Sequence, residues 1–157
     1  AAPLAEVGAL LDGLSGPHEA LWPDDRWPPM RFDRPLQVGA RGGHGPIRYD
    51  VGAYEPGRLV RFDFTAPRGF EGHHRFEVEE REPELTRLRH VLEMDARSAA
   101  ALSWPLVFRP LHDALLENAL DRAEISLGLE PAGARWSPWV RCLRWVLKPR
   151  GRRARRH

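Results

Sequence analysis

"IRYDVGAYEPGRLVRFDFTAPRGFEGHHRFEVEEREPELTRLRHVLEM", Ile47 to Met94, decides the fold, because its apolar residues recur with a period of two over four successive runs. Tyr49, Val51 and Ala53 share one face of the first run, and Val60, Phe62 and Phe64 one face of the second. His74, Phe76 and Val78 follow in the third, then Leu88, His90, Leu92 and Met94 in the fourth. The alternate positions carry Arg48, Asp50, Arg61, Asp63, Arg75, Glu77, Glu79, Arg87, Arg89 and Glu93. Strands that are charged on one face and apolar on the other make an antiparallel meander, wet on one side and buried on the other.

Charges on the outer face suggest registers, since directly opposed pairs of unlike sign are favoured. Centring the second hairpin on Gly69 sets Asp63 against Arg75 and Arg61 against Glu77. Centring the third on Pro83 sets Glu77 against Arg89 and Glu79 against Arg87. The first hairpin turns at Pro56-Gly57, a type II signal, although its tightest register opposes Asp50 to Asp63. On the inner face these registers predict a row of Phe62, Phe76 and His90 and a second of Phe64, His74 and Leu92. His74 and His90 then become diagonal neighbours.

Outside the meander, "PLAEVGALLDGL" places Leu4, Val7, Leu11 and Leu14 at helical spacing and stops at Gly16-Pro17. "HEALWPDDRWPP" reads as a helical turn broken by prolines, with Trp22 and Trp27 as packing anchors. "MRFDRP" and "LQVGA" read as two short strands ahead of a glycine loop, "RGGHGP". The loop has neither the GxGxxG nor the GK[ST] spacing of a phosphate site and precedes a strand, so its glycines are expected to turn the chain. The functional alternative places His44 as a gate at a pocket mouth. Beyond Ser98 the period returns to that of a helix, from Ser103 to about Leu127, with Trp104, Phe108, Leu111, Leu115, Ala119 and Ala123 on one stripe. Ser103 is the expected cap, and Pro110 is expected to kink or restart the helix.

At 157 residues and 42% apolar content the chain suits one domain with a real core. The single cysteine, Cys142, has no internal disulfide partner, which points to a reducing, cytoplasmic setting. No apolar run approaches the roughly 20 residues that span a bilayer, and the first residues lack a signal peptide's basic region. The net charge of +2 conceals an asymmetry. Nine of 24 basic residues and none of 22 acidic ones lie from Pro131 onward, leaving a body of −7.

The order of short helix, helical turn, antiparallel meander and long C-terminal helix resembles the helix-grip fold of the SRPBCC superfamily. "WPDDRWPPMRFDRPL", "GARGGHGPIRYDVGAYEPGRLVRFDF", "GFEGHHRFEV", "TRLRHVLEM" and "WPLVFRPLHDALLENALDRA" carry the resemblance, closest to the branch of polyketide cyclases, dehydrases and lipid-transport proteins. Such proteins usually begin with a strand before the first helix, and none is readable here. The resemblance implies an α+β domain over residues 1–130, a curved antiparallel sheet wrapped around the long helix with an internal apolar cavity. Residues 131–157 read as a basic amphipathic extension.

The expected function is binding or carriage of a lipid or polyketide-like molecule, with Tyr49, Val51, Phe62, Phe64, Phe76, Leu92 and Trp104 lining the pocket and His44 at its mouth. In the enzyme alternative His74 or His90 is the acid or base of a cyclisation or dehydration, because an imidazole titrates near neutrality. The other reading of both is as satisfied core histidines. Arg109 and Asp113 are spaced to support the helix. His44, His74, His90 and His112 show no metal-ligand spacing, and no cofactor or metal is expected. A third reading rests on the extension. On a helical wheel Trp139, Val140, Leu143, Val146 and Leu147 share one side and Arg141, Arg144 and Lys148 the other, the make-up of a segment lying on an anionic membrane. The alternatives are a helix docked on the domain and, with less support from an acidic body, nucleic-acid binding.

Overall fold

The computed structural model describes residues 1–147, so the arginine cluster from Lys148 to His157 lies outside the described residues. In chain order the elements are α1 (Leu4–Asp12), β1 (Arg31–Phe32), β2 (Arg41–His44), β3 (Ile47–Glu55), β4 (Leu59–Ala66), β5 (Phe70–Glu82) and β6 (Leu85–Ala96), followed by α2 (Ala100–Ser103), a π-helical turn (Trp104–Phe108), α3 (Arg109–Ser126) and α4 (Pro138–Leu147). The six strands form one antiparallel sheet in sequential order, the topology that short turns between half-apolar strands dictate.

Tyr49, Phe62, Phe76 and Val60 are 0% exposed, and one continuous core joins them to Val7, Leu10 and Leu11 of α1 and to Leu115, Ala119 and Ala123 of α3. Burying each large side chain is worth about 1.5–3 kcal/mol, so the inner face of the sheet is where most of the folding energy is gathered. α1 is pinned as well as packed. The Asp12 carboxylate accepts from the Tyr54 hydroxyl at 2.9 Å and from the Gly57 N–H at 2.8 Å.

Two expectations about the front of the sheet are corrected. "LQVGA" forms turns, and the glycine loop is itself β2, hydrogen-bonded between β1 and β3. The reason is steric. A Cβ on Gly42 would strike the Arg31 carbonyl and the Phe32 ring, and one on Gly43 (φ +150°) the Ile47 carbonyl, so only glycine lets three backbones pass this close.

Registers divide in an informative way. Glu77 faces Arg89 and Glu79 faces Arg87, as the charges predict. Asp50 does face Asp63, and each has its own arginine: Arg41 Nε lies 3.8 Å from Asp50 and Arg61 Nε 3.0 Å from Asp63. Between β4 and β5 the expected pairing is wrong by two residues. Arg61 faces Arg75, Asp63 faces His73, and Phe62 faces His74 rather than Phe76. A slip of two keeps every side chain on its own face, so burial does not resist it. Exposed ion pairs worth 0–1 kcal/mol do not decide it either, and both arginines find carboxylates elsewhere: Arg61 on Asp63, Arg75 on Glu77 and on Glu93.

The long helix starts at Ala100, earlier than expected, and Ser103 makes no side-chain cap. The α-helix restarts at Arg109 after the π-helical turn Trp104–Phe108, which puts Pro110 in the first turn of α3, where a missing N–H costs little. No described helix is long and apolar enough to cross a membrane.

Candidate functional site

The pocket expected on the inner face is filled by the side chains meant to line it. Tyr49, Phe62 and Phe76 are 0% and Val51 1% exposed, which leaves no water-sized void against them. Their rings interlock: Tyr49 and Phe62 lie 5.0 Å apart, and Phe32 stacks on Phe62 at 5.8 Å. Phe64, His90, Leu92, Trp104 and His44 are half-buried and mark where the packing opens.

It opens along β6. A cleft of about 430 Å³ runs between that strand and the π-helical turn with α3, lined by His90, Leu92, Met94, Trp104, Arg109, His112, Asp113 and Leu116. Of the expected lining residues, Leu92 and Trp104 border this space, while Tyr49, Val51, Phe62, Phe64, Phe76 and His44 do not; of the two acid–base candidates His90 borders it and His74 does not. The helix residues were legible. Arg109, His112, Asp113 and Leu116 fall at i, i+3, i+4 and i+7, a second face beside the apolar stripe. Read alone, Arg109 and Asp113 account for one another as an ion pair, and they do lie 3.7 Å apart.

Behind the cleft runs a row of polar rings. His44 Nδ1 is 3.1 Å from the Tyr49 hydroxyl, and the edge of Tyr49 meets His74 at a centroid distance of 5.0 Å. His74 Nδ1 lies 3.1 Å from His90 Nε2, and His90 packs against His112 at 5.1 Å. His112 Nδ1 ends the row 3.1 Å from the Asp113 carboxylate at the surface. The histidines are strung out, and among the described residues no three metal-binding side chains are grouped to hold an ion.

Burial sets their protonation. It lowers His44 and His90 to about 3, with nearby positive or titratable groups (His112 for both) acting in the same direction. His74 is held well below the ordinary histidine value by burial and then by His90. His112 is lowered by burial against the opposing pull of Asp113. All four rings are therefore neutral at pH 7. The proton between His74 and His90 is assigned by what else each ring meets. His74 Nε2 is buried without a partner. An orphaned buried N–H is rarer than an orphaned acceptor, so His74 Nδ1 carries the proton and donates to His90 Nε2. The proton of His90 then sits on Nδ1, which has no protein partner among the described residues, and the cleft gains a hydrogen-bond donor.

The C-terminal segment is docked. Val140 and Leu143 are buried against the domain. The Arg144 guanidinium lies between the Trp27 and Trp136 rings, 4.1 and 4.0 Å from their centroids, and donates to the Arg26 carbonyl at 2.6 Å. Both indoles donate to Asn118 Oδ1, Trp27 at 3.0 Å and Trp136 at 2.9 Å. Leu143 and Arg144 are thus used inside the protein, which removes them from the expected membrane-contact set, while Trp139, Arg141 and Val146 stay exposed. The apolar side of the wheel is divided: Val140 and Leu143 turn inward, as in the docked alternative, and Arg144 joins them because its aromatic socket comes from Trp27, more than a hundred positions away, and from Trp136, neither visible as a pattern.

No protein-family model matches this chain, and neither does any curated protein. Solved structures do. A solution NMR structure of a protein from Thermobifida fusca is 19% identical, with 83% of this chain and 91% of that one covered, at a TM-score of 0.60. The crystal structure of CalU16 from Micromonospora echinospora is 18% identical, with 80% of this chain and 69% of that one covered, at a TM-score of 0.52. At such identities the likeness is one of fold, an α+β architecture in which a curved antiparallel sheet is packed by a C-terminal helix, compatible with a helix grip.

Proposed function

We propose that the cleft along β6 binds a hydrophobic small molecule, of lipid or polyketide type, with an acceptor oxygen of the ligand on His90 Nδ1. The observation that carries this reading is the make-up of the cleft: Leu92, Met94, Trp104 and Leu116 form an apolar half, and the other half is polar, made of Arg109, His112, Asp113 and His90, whose Nδ1 has no protein partner among the described residues. Its volume of about 430 Å³ falls in the range of small-molecule sites, and its polar half suits a ligand that carries several oxygens on an apolar body. The ligand lies along the sheet edge, beneath the helix, instead of inside the sheet.

Burial disfavours the acid–base alternative in which His74 or His90 drives cyclisation or dehydration. General catalysis is most effective when the group titrates near the working pH, and His90, the one of the pair that lines the cleft, is pushed to about 3. A neutral imidazole with that affinity for protons is a good hydrogen-bond donor and a poor base. Native mass spectrometry of the purified protein, with identification of what denaturation releases, tests the proposal. A stoichiometric apolar molecule is the expected result; an empty protein that also takes up no anilinonaphthalene sulfonate overturns it.

A further inference from the structure

We infer that the outer face of α4, together with the exposed side of the helical segment before α3, is a docking surface for an anionic lipid membrane. Residues 139 to 146 make α4 apolar on both sides. Val140 and Leu143 face the domain, and on the outside Trp145 is 79%, Val146 62% and Trp139 50% exposed. A helix that merely closed a domain would carry charge on its outer face. The Trp139 indole donates to the Leu106 carbonyl at 2.8 Å, which joins this face to Leu106 and, one turn back, Leu102, exposed by 58% and 71%. Singly exposed apolar residues are ordinary; a contiguous patch from two helices marks an interaction surface.

Charge chooses the occupant. Arg141 is exposed on the same helix, and the chain continues from Leu147 through Lys148, Arg150, Arg152, Arg153, Arg155 and Arg156 with no acidic residue after Glu130. Exposed tryptophan and aliphatic side chains beside a dense run of arginines suit the boundary of an anionic bilayer, where the rings settle at headgroup depth and the cations meet phosphate. A nucleic acid would use the arginines and leave the apolar patch uncovered. A second copy of this chain would have to bring its own run of like charge against this one. The same helical segment carries Trp104 on the cleft side and Leu106 on the outer side, so docking brings the cleft beside the bilayer.

Cys142 is the only cysteine and lies exposed on α4, so the full chain accepts an environment-sensitive dye there without mutation. The expected result is a blue shift of the dye and co-sedimentation with phosphatidylcholine vesicles containing phosphatidylglycerol, at least about tenfold stronger than with phosphatidylcholine alone. The double variant W145S/V146S keeps every basic residue and loses binding by about tenfold or more, with thermal stability unchanged because both side chains are exposed. Equal binding by the variant would assign the affinity to the arginine run and overturn the proposal. So would indifference to anionic lipid, or a dimer in solution that W145S/V146S converts to monomer with no vesicle binding in either form.

Discussion

His74 Nδ1 stands 3.1 Å from His90 Nε2, so one proton is shared by a ring sealed in the core and a ring that lines the cleft. His74 is 5% exposed and takes no second partner at Nε2. A proton on His90 Nε2 would set two N–H groups against each other and place a positive charge in a dry site, so the bond needs His90 neutral.

Stability should depend on pH through this row. Unfolded histidines take up protons near pH 6.5, whereas His44 and His90 in the fold do so only near 3. Between those values the unfolded chain binds more protons, so the fold loses stability as pH falls from about 6.5 toward 3 and is indifferent above that window. Each such histidine adds a slope of about 1.4 kcal/mol per pH unit inside the window. Urea midpoints at about pH 7 and pH 5 measure it, with a lower midpoint at the more acid value expected. Equal midpoints would mean that the rings are hydrated in solution.

Filling the cleft separates binding from packing. Leu92→Trp projects into open space and should abolish uptake of anilinonaphthalene sulfonate while costing less than about 1.5 kcal/mol of stability. Phe76→Trp adds volume where the side chain is 0% exposed and should cost about 1–3 kcal/mol with uptake retained at a temperature where the fold persists. The opposite pattern would return the ligand to the interior of the sheet.

How far the sequence carries is visible in these same residues. The inward set of the strands, Tyr49, Val51, Phe62, Phe64, His74, Phe76, His90 and Leu92, follows from a period of two, and the structure places all of them on one face. Which of them touch open space did not follow, because alternation says where a side chain points and nothing about whether a neighbour fills the volume ahead of it. The β4–β5 register failed for a related reason: a slip of two residues is silent to the hydrophobic pattern. Phe62 lies opposite His74, and the outer-face charges exert too little force to shift the pairing. The cleft wall on α3 was present as a helical face and was hidden by a sufficient local explanation, the Arg109–Asp113 pair.

Asn118 carries more stability than its type suggests. Its Oδ1 accepts from the indoles of Trp27 and Trp136, which only donate, so no rotation of the amide serves both. Asn118→Leu leaves two N–H groups without a partner, one of them on a tryptophan 7% exposed, and should cost about 2–4 kcal/mol in denaturant unfolding. Asn118→Asp keeps the acceptor and should recover part of that loss. If both variants unfold alike, the indoles are satisfied by water.

Arg144 decides whether α4 stays on the domain. Its guanidinium is held between two tryptophan faces and donates to the Arg26 carbonyl, contacts that together are worth about 1–3 kcal/mol in a partly desolvated site. Burial lowers its pKa from the ordinary arginine value, yet an arginine remains charged, so the cation that the rings need is always present. Arg144→Met keeps the apolar stem and removes the charge. Because α4 is a peripheral helix, the loss should emerge first as local opening, with hydrogen exchange at the Val140 and Leu143 amides faster by about tenfold or more and amides of β5 unchanged. Arg141→Met, one turn away on the exposed side, controls for net charge and should alter neither. Acceleration by both variants alike would mean that charge in general holds α4, and that the tryptophan socket is incidental.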